Sequence, residues 1–140
     1  MNILVTGSNG FIGKNLVAEL KNEGFTDILS FDRDTPVLLL DEYCKKADFV
    51  FHLAGVNRPK DDAEFMKGNF GFTSELLEKL KVHGNTCPVM LSSSIQAELD
   101  NSYGKSKKAG EELLKKYQKE TGAPVYIYRF SNLYGKWSQP

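Results

Sequence analysis

The sequence predicts an α/β protein built on a doubly wound parallel sheet with helices on both faces. Three observations carry this expectation. Short apolar runs alternate with helical stretches along the chain. The runs are continuously apolar, as in strands covered on both sides. The first run empties into a glycine-rich turn that opens a helix. Right-handed crossovers between such strands distribute helices over the two faces.

The elements follow in order. Asn2-Ile3-Leu4-Val5-Thr6 reads as the first strand, and Phe11, Ile12, Leu16, Val17 and Leu20 then recur at helical spacing up to a stop at Gly24. Asp27 to Phe31 is a second buried strand ending at Asp32-Arg33-Asp34. Thr35 and Pro36 suit an N-cap and first helical position, with Val37, Leu38, Tyr43, Cys44 and Ala47 on the buried side of a short helix; Val37 to Leu40 alternatively reads as a strand. Phe49 to Ala54 is a third buried strand, left by the loop Gly55 to Lys60. A long helical stretch covers about Asp62 to His83, with Phe65, Phe72, Leu76, Leu77 and Leu80 repeating and Gly84-Asn85 stopping it. Val89-Met90-Leu91 runs into Ser92-Ser93-Ser94, a helix spans about Ser102 to Glu120, and Val125 to Tyr128 is the last strand.

Length and composition set the limits. The 140 residues fit one domain, and 41% hydrophobic with 26% charged residues is an ordinary globular composition. Lys plus Arg and Asp plus Glu both number 18, so no global positive field exists to attract nucleic acid or an anionic membrane. No apolar run approaches the roughly 20 residues that a bilayer needs, and Ile3-Leu4-Val5 is cut short at Thr6-Gly7 without a basic leader, so a cytoplasmic protein with no membrane partner is expected. Cys44 and Cys87 are too few and too far apart for a disulfide framework or a metal site, and read as idle thiols; no metal is expected.

The chemistry concentrates at strand ends. Gly7-Ser8-Asn9-Gly10-Phe11-Ile12-Gly13 lies between the first strand and its helix, where Gly7 permits the tight turn, Gly10 lets backbone approach a diphosphate and Gly13 lets helix and strand pack closely, a Rossmann-like arrangement. The helix start offers unpaired N–H groups and a positive dipole end to that diphosphate. Asp32, at the end of the second strand, suits an adenosine ribose and repels a 2′-phosphate, whereas Arg33 beside it suits adenine or that phosphate; NAD and NADP both stay open. Tyr103 and Lys107 stand one helical turn apart on one face, and a nearby ammonium is expected to lower the phenol pKa from its usual value of about 10. Ser94 leaves the preceding strand beside them, with Ser92 and Ser93 as rivals and Ser93 turned to the opposite face by strand alternation. His52 reads as a packed, hydrogen-bonded histidine, and His83 as a solvated one that supports a helix dipole. Each motif also has a plain structural reading: a turn, two solvated loop charges, a lysine-rich surface helix.

Thr6-Gly7-x-x-Gly10-x-x-Gly13, His52-Leu53-Ala54-Gly55, Asn69, Ser94, Tyr103-x-x-x-Lys107 and Arg129 to Gly135 together resemble the extended short-chain dehydrogenase/reductases of the nucleotide-sugar epimerase/dehydratase group. The stretches His52 to Pro59, Ser92 to Ala97, and Tyr126 to Arg129 with Asn132 and Gly135-Lys136-Trp137 more closely resemble the amino-terminal reductase half of the CapF-like bifunctional UDP-sugar reductase/epimerases of capsule synthesis. That resemblance implies an NAD(P)(H)-dependent reductase of a UDP-linked 4-keto-deoxy-amino-sugar. It implies Tyr103 as proton donor, Lys107 as holder of the nicotinamide ribose and Ser94 as the group that orients the carbonyl. Leu53, Ala54 and Gly55 would line the cofactor, Asn57, Arg58 and Asn132 would contact the substrate, and Asn69 would support the active-site helix. A homodimer through the two long helices is left open, because their apolar positions look the same in a core and in an interface.

Three features depart from the larger group. The stretch from Asp32 to Phe49 is too short for an extra strand and helix, so the sheet should lose one strand, leaving order 2-1-4-5-6 in the usual numbering. The gap from Ser94 to Tyr103 is short, an economy the CapF-like proteins share. The chain stops at Pro140, so residues 1–140 are expected to form the dinucleotide-binding domain without the substrate lobe. Ile95-Gln96 stand where dehydratases carry an Asp-Glu pair, and neither can remove a proton and expel water, which disfavours dehydration. A 4-epimerase, a non-catalytic cofactor-binding module and a nucleotide-free structural domain are the alternatives.

Overall fold

The structure, a computed structural model, describes residues 1–54 and 67–130. Five parallel strands form one sheet in the order β2-β1-β3-β4-β5, with β1 Ile3–Thr6, β2 Ile28–Phe31, β3 Phe49–His52, β4 Val89–Ser94 and β5 Val125–Phe130. The expected loss of a strand is seen: α2, Val37–Lys46, leads directly from β2 to β3. The order reverses at β1 and β3, which places the open crevice of the sheet above their carboxyl ends.

The crossovers arrange the helices unevenly. The step from β1 to β2, through α1 (Phe11–Asn22), runs opposite to all later steps, so right-handed connections place α1 on one face and α2, α3 (Phe72–Val82) and α4 (Ser102–Thr121) on the other. The three-helix face holds the core. Leu4, Val50 and Val89 lie in register across β1, β3 and β4, all 0% exposed, and meet Leu40 and Cys44 of α2, Leu76, Leu77 and Leu80 of α3, and Leu114 and Tyr117 of α4. Each such aliphatic side chain contributes about 1.5 to 3 kcal/mol on leaving water.

Three local readings change. Pro36 rather than Thr35 occupies the N-cap of α2, and no side chain caps that helix. The Thr35 hydroxyl instead accepts the Asp32 N–H at 2.9 Å, closing the turn after β2. Val37 and Leu38, expected on the buried side, are exposed because they form the first turn, beyond the reach of α3; Leu40, Cys44 and Ala47 carry the burial. His83 is paired with Asp41 of α2 at 3.0 Å instead of standing free in solvent.

The long helical stretch is described from Lys67 onward, where a π-helical turn, Lys67–Gly71, precedes α3. Helix α4 has a full set of end signals: the Asn101 side chain accepts the Gly104 N–H at 2.7 Å, and Gly122 closes the other end at φ +79°. Both thiols are free, Cys44 buried and Cys87 half-buried. Among the described residues no helix is long and apolar enough to cross a membrane, and no cluster of His, Cys, Asp and Glu could hold a metal ion.

Candidate active site

The turn after β1 is tight for reasons within the chain. Gly7 adopts φ +68°, and a Cβ there would stand 2.8 Å from the Ala54 nitrogen; a Cβ on Gly13 would stand 2.1 Å from the Gly7 carbonyl oxygen. Gly10 differs, since its Cβ would meet only the Gly7 oxygen, at 3.4 Å. The space above Gly10 is left open by the protein, and no side chain caps α1. An open backbone surface at an uncapped helix start fits a dinucleotide diphosphate.

Asp32 braces this turn. Its carboxylate accepts the backbone N–H of Asn9 at 2.8 Å and that of Arg33 at 2.6 Å, joining the end of β2 to the glycine turn. Ser8 is buried in the turn, Phe11 and Ile12 open α1 half-buried, and the Arg33 side chain is exposed beside Asp32. The residues of both cofactor readings thus stand at the same edge.

Ser94, Tyr103 and Lys107 converge at the carboxyl edge of β4. Ser94 hydrogen-bonds the Tyr103 side chain. The Lys107 ammonium lies over the Tyr103 ring, 5.7 Å from its centroid. Ser93 turns the other way, toward Glu111 of α4, although its hydroxyl is buried without a hydrogen bond of good geometry. The expected lowering of the Tyr103 pKa is overturned. Burial raises it above the ordinary value of 10, and the Ser94 hydrogen bond offsets only part of that rise. The ammonium lies over the ring, the Lys107 charge is not among the causes that move the phenol, and burial lowers Lys107 itself to about 8.

A buried hydrogen-bond chain underlies the site. The Thr6 hydroxyl accepts the N–H groups of Leu53 and Ala54, both at 3.1 Å, so its own proton points to His52 Nδ1 at 2.6 Å. His52 Nε2 then donates to Thr73 Oγ1 at 2.9 Å. Burial first, and the nearby Lys107 charge second, push His52 down to about 3, which keeps the ring neutral. Thr73, Ala54, Ser92 and Lys107 line one small recess, so the chain links the strand end at Leu53 and Ala54 to the lysine's surroundings. A separate groove of about 480 Å³ beside Asp41, Ser74 and Glu78 contains none of the candidate residues.

The structure therefore gathers two groups: Gly7 to Gly13 with Asp32, Arg33, Leu53 and Ala54, and Ser94 with Tyr103 and Lys107. Gly55, Asn57, Arg58 and Asn132 lie outside the described residues, as does the side chain of Asn69. Sequence reasoning missed the supporting groups. Thr73 shows no motif of its own and Thr6 entered only as the first residue of the glycine motif, so only a search for partners of the buried His52 would have found their part in this chain. Glu111, four residues beyond Lys107, and Arg129, in an otherwise apolar strand, were legible as a complementary pair of charges, of which the structure buries Glu111 and leaves Arg129 exposed.

A parallel sheet with a diphosphate-type turn at its reversal point and a Ser-Tyr-Lys group across the crevice defines a dinucleotide-binding protein of the short-chain dehydrogenase/reductase class. The chain belongs to the NAD dependent epimerase/dehydratase family, whose sequence profile matches residues 3–140. It is 48% identical over 140 residues to a UDP-2-acetamido-2,6-beta-L-arabino-hexul-4-ose reductase of Pseudomonas aeruginosa, an alignment covering 100% of this chain and 38% of the relative. The crystal structure of the capsular polysaccharide assembling protein CapF from Staphylococcus aureus superposes with a TM-score of 0.87 at 48% identity, covering 100% of this chain and 38% of that one. A UDP-glucuronic acid 4-epimerase from Bacillus cereus, solved with NAD, has a TM-score of 0.85 at 25% identity, covering 100% of this chain and 60% of that one. The chain thus spans well under half the length of the reductase and CapF.

Proposed function

We propose that residues 1–140 are the dinucleotide-binding and catalytic part of a cytoplasmic NAD(P)H-dependent reductase that acts on the keto group of a UDP-linked deoxy-amino-sugar in surface polysaccharide synthesis. The observation that carries the reading is the convergence of Ser94, Tyr103 and Lys107 across the crevice from the Gly7 to Gly13 turn, in a chain 48% identical to a UDP-sugar reductase. A bound reduced nicotinamide would supply the hydride.

The rest of the chemistry belongs to the chain's own side chains. The Ser94 hydroxyl orients the substrate carbonyl and shares its hydrogen bond with Tyr103. The Tyr103 O–H gives its proton to the carbonyl oxygen as hydride reaches the carbon, so the ketone becomes an alcohol and the phenolate is reprotonated from water. A raised Tyr103 pKa suits this direction, because the phenol keeps its proton until an oxyanion develops. Lys107 holds the cofactor ribose and balances the transient phenolate. Its ammonium prevails below about 8, so turnover should decline as pH climbs through that value. Asn57, Arg58 and Asn132 are the proposed substrate contacts.

Replacing Tyr103→Phe should leave dinucleotide affinity nearly intact and lower hydride transfer by about 100-fold or more. Unchanged turnover would remove the tyrosine's role. Titration with NADH and with NADPH tests Asp32 against Arg33, and failure to bind either would leave only a structural domain. Binding without hydride transfer would favour a non-catalytic module. A 4-epimerase would use the same three residues, and the Bacillus cereus likeness keeps it as the second reading. Interconversion of UDP-sugar epimers without net cofactor oxidation would favour it.

A further inference from the structure

Arg129, near the end of β5, ties together three pieces of chain. Its Nε and Nη2 donate to the two carboxylate oxygens of Glu111 at 2.8 and 2.7 Å, and Glu111 is 1% exposed. Its Nη1 donates to Glu98. Glu111 lies one turn beyond Lys107 on α4. Glu98 ends the 3-10 turn Ile95–Glu98, which leaves Ser94 and leads toward the helix of Tyr103.

The two carboxylates do different things. Glu111 is buried, and the guanidinium neutralises it in a two-pronged pairing that a buried carboxylate requires. Glu98 has a side chain 66% exposed, so no buried charge depends on it. An exposed ion pair of this kind contributes about 0 to 1 kcal/mol, too little to explain the third prong as a stabilising contact. Its consequence is geometric, since it pins the far end of a four-residue turn that begins directly after Ser94, the last residue of β4.

We propose that Glu98, acting through Arg129, is a positioning residue that holds the Ile95–Glu98 turn against β5 and thereby keeps Ser94 within hydrogen-bond reach of Tyr103. The inference rests on the roles proposed for Ser94 and Tyr103. It assigns to an exposed glutamate outside the Ser-Tyr-Lys group a part in setting the active-site geometry.

The test is Glu98→Gln, which keeps size and removes charge while Glu111 still holds Arg129. The expected result is an unchanged thermal midpoint and unchanged NAD(P)H dissociation constant, a kcat lower by about 5-fold or more, and a displaced ring-carbon resonance of Tyr103 in tyrosine-labelled protein. Adding Glu98→Gln to Ser94→Ala should cost nothing further, because both changes act through one contact. The inference is overturned if Glu98→Gln matches the parent in both kcat and the Tyr103 resonance, or if the two substitutions multiply as independent losses. Should the parent protein show no hydride transfer, the reductase reading fails, whereas the Tyr103 resonance of Glu98→Gln still decides the positioning role.

Discussion

The two faces of the sheet carry similar apolar sequence and end in different states. On the three-helix face, the row Leu4, Val50, Val89 is 0% exposed and Val125 packs against the core at its edge. On the α1 face, the row Val5, Phe51, Met90, Tyr126 begins at 0% exposure and reaches 46%, with Tyr128 beside it at 52%. Among the described residues a single helix lies on this face, over β1, and β4 and β5 keep partly exposed side chains. Strand composition reports that a residue suits a sheet; how much helix lies over it is a matter of topology.

The sharpest way to break this contrast is truncation on the covered face. Leu76→Ala should cost about 2 to 5 kcal/mol in urea unfolding, since it opens a cavity among side chains that cannot collapse around it. Next comes Gly13→Ala, the exception on the sparse face, where a Cβ would stand 2.1 Å from the Gly7 oxygen. A loss of about 1 to 3 kcal/mol together with weakened dinucleotide binding is expected, and a neutral result would show that α1 is free to shift away.

Acid should also act through the covered face. His52 falls to about 3 in the folded state against 6.5 as its ordinary value, so the unfolded chain takes up the proton first. Its contribution is complete above 6.5 and is lost progressively as pH falls toward 3, at up to about 1.4 kcal/mol per pH unit. Stability measured across that range should flatten in His52→Gln; an unaltered slope would place the effect elsewhere. The smallest change expected is Tyr128→Ala on the open face, about 0.5 kcal/mol or less beyond its lost strand preference. A cost near that of Leu76→Ala would mean that the open face is covered in solution.

Several parts of the site were legible early because they depend on local chemistry. The spacing of Gly7, Gly10 and Gly13 after a strand encodes a turn with a bare backbone, and the four-residue spacing of Tyr103 and Lys107 puts them on one helix face. The direction of the Tyr103 pKa was not legible, because distance along a helix says nothing of whether an ammonium meets the ring or the oxygen. Nor was the exposure of Leu38, since a helical wheel treats the first turn as equal to the second.

What the sequence alone determined is the order of strands and helices, the glycine turn after β1 and the shared helix face of Tyr103 and Lys107, because each is written in near-neighbour spacing. Only the tertiary structure decided which hydroxyl of Ser92, Ser93 and Ser94 meets Tyr103, that His52 is held neutral between Thr6 and Thr73, and that Arg129 joins Glu98 to Glu111. Those contacts join residues as much as 46 positions apart, and their geometry is set by register across the sheet and by desolvation, neither of which a local pattern records.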